Sequence, residues 1–312
     1  MLKYSLRRLL SAIPTLLLLI TFAFFLIRVA PGGPFDSERA LPAEIEANLA
    51  AKYHLDEPLV LQYGRYLWQI VRGDLGPSFH YRDWTVNDLI AQGLPVSALL
   101  GGLALVLALA IGVPIGAWAA LRQNRPTDYA VMSVAMIGIS VPNFVVAPLL
   151  ILLFAVALGW LPAGGWAYSP DRMLLPVITL ALPMIAYVAR ITRGSMIEVL
   201  NSGFIRTARA KGMPEKKVIL RHALKPALLP VISYLGPAAA AILTGSVVVE
   251  QIFTIPGIGS YFVQGALNRD YTLVMGVVIL YGVLIIAFNF LVDLLYAALD
   301  PRIHYEDGEA ET

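Results

Sequence analysis

Long apolar runs dominate this chain, and their sparse polar punctuation predicts its elements. A charged side chain at mid-bilayer costs about 3 kcal/mol or more on insertion scales, so stretches free of Asp, Glu, Lys and Arg mark where helices cross. Six such stretches reach the length of a crossing: 9–27, 89–121, 129–170, 173–189, 226–249 and 271–292, against a need of roughly 17 to 25 residues. The third is counted once, because its second part (Gly159, Trp160, Leu161, Pro162, Ala163, Gly164, Gly165, Trp166) punctuates like a loop. A seventh charge-free stretch, 251–268, carries Pro256, Gly257, Gly259 and Gly265 and is expected to be a short interfacial or re-entrant element, with Phe253, Tyr261 and Phe262 suited to an interface.

Between the first two crossings lies a segment, 31–88, with more acids than bases. One helix is expected from Pro42, with Glu44 and Glu46 in its first turns and Ile45, Leu49 and Tyr53 on one face. A second is expected from Pro58 to near Gly73, with Val60, Tyr63, Leu67 and Ile70 on one face. A cap touched by a soluble external partner and a packed spacer would both show this amphipathicity.

Composition settles the class. Of 312 residues, 58% are apolar and only 14% charged, with a mean hydropathy of +0.72, whereas soluble domains carry about 25% charged residues. The net charge of +2 argues against a polybasic nucleic-acid binder and an acidic disordered chain. With no cysteine there is no disulfide framework, thiolate site or Cys nucleophile. The histidines His54, His80, His222 and His304 have no ligand spacing, so no metal is expected.

Orientation follows from Lys and Arg. If the N-terminus is inside, 15 of the 23 fall on the cytoplasmic side, which puts both termini there. The first apolar run is longer than the usual signal-peptide core of about 7 to 15 residues and is read as an uncleaved anchor.

The most informative polar stretch is 190–225, with nine bases against Glu198 and Glu215. Part of this charge is the orientation signal. Beyond it, 203–211 (Gly, Phe, Ile, Arg, Thr, Ala, Arg, Ala, Lys) is helix-compatible and closed by Gly212, with Pro214 after it. A second basic helix is expected from Pro214 toward Lys225, making a projecting knob suited to docking. A DNA-binding reading of the same bases is set aside because membrane spans flank them.

Chemistry-bearing motifs are missing. No lysine follows a glycine, so there is no P-loop, and HExxH, GxSxG and CxxC do not occur. Glu250 and Asp293 fall at crossing ends, so an ion-driven mechanism lacks intramembrane relays; Glu250 is read as a surface anchor and Asp293 as a polar contact. Gly112 and Gly116 have GxxxG spacing and 238–241 is all alanine, both read as packing within the bundle. Ser140, Asn143, Thr179, Ser233, Thr244 and Asn289 are polar positions in or beside the crossings.

Three stretches together resemble the permease subunits of bacterial peptide-importing ABC transporters over essentially the whole chain. The first is Arg7-Arg8-Leu9-Leu10, Ile13-Pro14 and Arg28-Val29-Ala30-Pro31-Gly32. The second is Tyr53-His54-Leu55-Asp56, Gln62-Tyr63 and Gly73-Asp74-Leu75-Gly76. The third is Ala189-Arg190-Ile191-Thr192-Arg193-Gly194-Ser195-Met196, then 204–212 and Arg221-His222-Ala223-Leu224. That last stretch is similar to the coupling motif of ABC importers, Glu-Ala-Ala, three residues, Gly. Counting back from Gly212, Arg206 and Thr207 depart from it and Ala208 fits.

The resemblance implies an all-α membrane protein with the ABC type I importer permease fold: six transmembrane helices, both termini cytoplasmic and an external helical segment between the first two. It implies an ATPase-coupling helix of Phe204, Arg206, Thr207, Ala208, Arg209, Ala210, Lys211 and Gly212, with no catalytic residue, cofactor or metal. The implied partners are a homologous second permease subunit in a heterodimer, two cytoplasmic ABC ATPase subunits, an extracytoplasmic peptide-binding protein and the lipid bilayer, with no nucleic acid. Location would be the bacterial inner membrane and cargo oligopeptides, with dipeptide, glutathione or nickel importers as the near alternative and a stand-alone channel or ion-coupled carrier as the distant one. Residues 1–93 would form the first helix and external segment, 94–300 the transmembrane domain with the coupling loop 190–225, and 301–312 an acidic cytoplasmic tail.

Overall fold

In the computed structural model, which describes residues 2–29, 33, 48 and 51–299, the chain is helical throughout, with one isolated bridge between Pro77 and Thr85. The expected helix from Pro42 and the tail 301–312 lie outside those residues. Four helices are long and apolar enough to cross a membrane: α1 (Leu2–Val29), α3 (Val86–Leu121), α6 (Pro170–Leu200) and α12 (Tyr271–Leu299). Two bent pairs raise the number to six. α4 (Pro126–Ser140) and α5 (Asn143–Leu150), which runs on into a π-helical segment Ile151–Ala157, meet at 100°. The segment from Glu215 to Ala227 meets α10 (Leu229–Ile252) at 45°.

The third stretch, counted as a single crossing, is therefore broken. Pro142 has no N–H to donate and forces Val141 out of the helical region (φ −86°, ψ 118°), so a new helix begins at Asn143. The fourth crossing outruns its charge-free window. α6 continues through Arg190 and Arg193 to Leu200, burying Thr192 and Met196 on the way, so the first residues of the expected loop are helix.

α3 and α6 pack along one line that the glycines make possible. A Cβ at Gly112 would sit 2.8 Å from the Val188 side chain, and one at Gly116 only 2.3 Å from the Ala189 carbonyl oxygen. These backbones touch, as small residues allow in bundles. Val96, Leu100, Ala104, Leu175, Leu180 and Phe253 fill the space alongside. The expected packing role of 238–241 holds for Ala238, buried beside Ala108 and Met184, and for Ala240, which is also buried.

The short element expected in 251–268 is α11 (Ile258–Leu267), and a buried carboxylate is set at each end of it. Glu250, read from sequence as a surface anchor, is fully buried instead. Ser97 Oγ donates to its Oε1 at 2.7 Å and the Ser260 N–H to its Oε2 at 3.1 Å, while Ser97 Oγ accepts from the Ile258 N–H at 2.9 Å. The carboxylate thus answers the first free amides of α11, which no helical carbonyl reaches. At the other end, Asp270 accepts from the Leu273 N–H at 3.1 Å, opening α12, and from Ser78 Oγ and the His80 N–H, tying the external loop to this corner.

α2 (Leu59–Val71) confirms the second external helix and three of the four residues expected on its packed face, Tyr63, Leu67 and Ile70. Gln62 and Tyr66 are buried, and Tyr63, Tyr66, Leu67 and Ile70 pack against Ile20, Ala23 and Phe24 of α1 and Met275 and Ile279 of α12. Val60, grouped with them from sequence, is 75% exposed. Phe24 turns the helix, with ring centroids 5.2 Å from Tyr63 and 6.0 Å from Tyr66, so the inward face centres between those tyrosines. Asp293 does make its polar contact: Arg8 Nη2 lies 2.7 Å from Oδ2, joining α1 to α12.

Glu250→Ala leaves the Ser97 hydroxyl and the Ser260 amide buried without their acceptor, at about 1 to 3 kcal/mol each. Thermal unfolding of the purified protein should show a clear loss for Glu250→Ala and a smaller one for Glu250→Gln, which keeps one acceptor oxygen. An alanine variant as stable as the parent would contradict this role.

Candidate functional site

Past Leu200 the chain leaves the bundle through Asn201 and Ser202 and turns into α7 (Gly203–Ala210). Its eight residues alternate as a short amphipathic helix must: Ile205 and Ala208 face inward and are buried, and the rest face out. The helix stops because Gly212 adopts φ +72°, which lets its amide reach the Arg209 carbonyl at 2.9 Å and leads the chain into Pro214. The sequence-expected C-cap glycine is therefore in place.

The return path is helical but not uniformly α. α8 (Glu215–Lys217) passes into a π-helical segment, Val218–Ala223, and then α9 (Leu224–Ala227). The continuous α-helix expected from Pro214 would spread its apolar residues around the axis. The wider π turn bonds the Leu224 amide to the Ile219 carbonyl and brings Val218 and Ala223, five apart and both fully buried, onto one side. There they join Ala120 from α3, Met196 from α6, and Ile205 and Ala208 in a small apolar core.

That core makes the knob a built unit. Of the eight residues proposed to contact the ATPase, Phe204, Arg206, Thr207, Arg209, Ala210, Lys211 and Gly212 lie on the exposed side, and Phe204 is an apolar ring left 52% exposed. Ala208 is turned into the loop's own core and presents nothing outward. Arg209 is also occupied: its Nη2 and Nε donate to the two Glu215 oxygens at 2.6 and 3.2 Å. The hydrogen bonds from Arg209 hold the Glu215 carboxyl below the usual carboxylate range, and Glu215 raises the Arg209 guanidinium in return. With the carboxyl lowered, the pair contributes fully above the ordinary carboxylate pKa and is lost as pH falls through the lowered value. Both groups are half exposed, so the contribution is at most about 1 kcal/mol. Free cations on the outward face are Arg206 and Lys211.

A second device, missed in sequence, fixes the stem. Asp128, fully buried at the start of α4, receives Arg193 Nε at 2.5 Å and Nη2 at 2.6 Å, and also the Asn124 amide at 2.9 Å. This fork locks α4 to α6 about two turns before the knob. An acid in a helix's first turn after Pro126 was the available signal, but nothing in the linear order names Arg193 as its partner. The polar positions Ser140, Thr179 and Ser233 hydrogen-bond to carbonyls four residues back on their own helices.

The chain is similar to known proteins over most of its length. Residues 112–305 match the family described as binding-protein-dependent transport system inner membrane component, and residues 1–98 match its N-terminal companion family. The chain is 60% identical over 306 residues to the oligopeptide transport system permease protein OppB of Salmonella typhimurium, covering 98% of this chain and 100% of that protein. It is 48% identical over 303 residues to the dipeptide transport system permease protein DppB of Bacillus subtilis, covering 97% and 98%. Among solved structures, an inward-facing MetNI methionine ABC transporter chain matches at TM-score 0.59 and 17% identity, over 68% of this chain and 96% of that one. A chain of an amino acid ABC transporter matches at TM-score 0.52 and 22% identity, over 68% and 94%.

A β-branched residue at positive φ is strained by roughly 1 to 2 kcal/mol. Gly212→Val should therefore fray α7, speeding amide exchange over 203–213 by about 5- to 30-fold while leaving α3 and α6 protected. Unchanged exchange there would refute the cap.

Proposed function

This chain belongs to the family of binding-protein-dependent transport system inner membrane components and is a multi-pass permease subunit of a bacterial peptide-importing ABC transporter; on that premise we propose how its parts serve transport. The cargo is oligopeptide, as in the OppB relatives, and a homologous second permease completes the pathway as a heterodimer. ATP is used by two cytoplasmic ATPase subunits and not by this chain, which performs no chemical step. A peptide-binding protein delivers cargo at the opposite end, and both termini are cytoplasmic.

The observation that carries this reading is the knob 203–212, a short helix seated on its own apolar core at the end of α6, with Phe204, Arg206 and Lys211 turned outward. An exposed aromatic ring beside two unpaired cations suits a cleft with an apolar floor and an acidic rim. Its stem is stiff: the Asp128–Arg193 fork and the glycine contacts with α3 couple any push on the knob to the bundle. The coupling surface is thus Phe204, Arg206, Thr207, Ala210, Lys211 and Gly212, with Ala208 supporting it from inside and Arg209 bracing Glu215. In this reading residues 1–93 are the N-terminal part, 94–300 the transmembrane domain and 301–312 the tail, with the first boundary falling within α3.

Uptake of a labelled tripeptide into proteoliposomes, with this chain, the second permease, the ATPases and the binding protein each omitted in turn, tests the assignment. Uptake should require every component and ATP; uptake by this chain alone would make it a carrier or channel. Reversing Arg206 and Lys211 to Glu should lower uptake by about tenfold or more, equivalent to ~1.4 kcal/mol of docking free energy, with the protein still inserted. Normal uptake in that variant would remove the coupling role from this face.

A further inference from the structure

α2 has two faces and only one is used by the chain. The inner face packs on α1, where the hydroxyls of Tyr63 and Thr21 are hydrogen-bonded at 2.6 Å and Phe24 and Phe25 lie against the Tyr63 ring. The outer face carries Val60, Leu61, Trp68 and Val71, exposed by 75, 60, 57 and 78%. These four fall on one stripe of the helix, with Gly64 between them and Arg65 and Arg72 at its margin. Isolated exposed apolar side chains are ordinary, but a contiguous stripe marks a contact surface.

The depth of this helix identifies what covers the stripe. The apolar stretch of α1 able to span the bilayer ends at Val29. Thr21 lies eight residues before that end, which at 1.5 Å per residue is about 12 Å down the helix axis. The Tyr63 hydroxyl, bonded to Thr21, is held at that level, Gln62 accepts from Arg28 Nε at 3.2 Å nearer the end, and the inner face of α2 packs along Ile20, Ala23, Phe24 and Ile27. α2 therefore stands beside the last turns of α1 and not above them, at a depth a soluble protein does not reach. Over the same depth α1 likewise leaves Leu18, Phe22, Leu26 and Val29 exposed.

We propose that α2 is a membrane-immersed interfacial helix whose Val60, Leu61, Trp68 and Val71 contact phospholipid in the leaflet at the Val29 end of α1. With the orientation proposed above, on which only the choice of leaflet rests, this is the outer leaflet. The residues have the chemistry of that zone. Trp68 is amphipathic, and the Arg72 guanidinium lies 4.6 Å above its ring, leaving the cation free to meet a headgroup phosphate. Arg65 can reach the headgroup level by the same extension of its stem. The middle of α2 satisfies its own backbone, so only its two ends need headgroup or water partners. Through Gly73–Asp74 it leads to the loop held by Asp270, so lipid on one side and a buried carboxylate on the other fix the height of that loop.

Because the chain has no cysteine, single Val60→Cys, Leu61→Cys and Val71→Cys variants can each carry a bimane probe in the assembled transporter in lipid nanodiscs. Brominated phosphatidylcholine should quench all three as strongly as a probe at Leu18→Cys, with little quenching by iodide, whereas a probe at the exposed loop position Asp83→Cys should show the reverse. Quenching by iodide and not by bromolipid at the α2 positions would overturn the proposal in favour of a water-facing or protein-docking surface. Shielding of all three probes from both bromolipid and iodide would overturn it in favour of a face buried against another subunit. An error in orientation is separable: in sealed vesicles the Asp83→Cys probe would then respond to iodide only from the cytoplasmic side, with the lipid readout at α2 unchanged.

Discussion

A carboxylate withdrawn from water must be answered by donors, and a helix that begins inside a bundle must be answered by acceptors; in this fold the two needs are met by each other. Asp128, Glu250 and Asp270 are the fully buried acids among the described residues; Asp128 and Asp270 stand at helix starts, and Glu250, in the last turn of α10, faces the start of α11. Asp128 opens α4 and takes the Asn124 amide, Glu250 receives the first amides of α11, and Asp270 opens α12. Each also takes a side-chain donor from a distant element: Arg193, Ser97 and Ser78. An unanswered charge at these sites would cost several kcal/mol. The corners of the bundle are therefore fixed points, and the long helices between them can act as rigid bodies.

That rigidity gives the knob 203–212 its mechanical meaning in the proposed coupling role. α6 runs unbroken for 31 residues, touching α3 backbone to backbone at Gly112 and Gly116 and clamped to α4 by Arg193. A knob on a slack loop would absorb a push from a partner. Here the loop has its own core, formed from α7, the π-helical return and the ends of α3 and α6. Displacing the knob means displacing those helices, which is what energy transfer from a separate ATPase requires.

The likeness to OppB and DppB proteins extends over nearly the whole chain, while the likeness to solved importer chains covers 68% of it at low identity and speaks for the fold alone. The bilayer dominates the composition, and the few polar residues it tolerates carry out either joinery or docking. Joinery takes the buried acids with serine and arginine partners. In the proposed coupling role, docking falls to Arg206 and Lys211, left without a partner acid in the knob, where Arg209 has one.

Sequence alone marked four apolar stretches that become single long helices and two that become bent pairs, together with the short element 258–267, the knob and its glycine stop, and the external helix after Pro58. Each rests on a local rule: charges are excluded from hydrocarbon, glycine and proline end helices, and apolar periodicity marks a packed face. Tertiary structure decided what those rules do not contain. The 100° break at Pro142 lies within a stretch whose apolarity is unbroken, since hydropathy does not register direction. Glu250 looked peripheral because it ends an apolar run, and only the fold brings Ser97, 153 residues away, within 2.7 Å of it. Ala208 and Arg209 sit in a surface motif, yet one is buried and the other paired, through contacts made by a return segment whose π turn no periodicity announces. The inward face of α2 was set by the Phe24 ring, a partner 39 positions earlier, and that choice left Val60 turned outward. Linear order records which residues can be buried; which partner each one finds depends on the approach of helices distant in sequence.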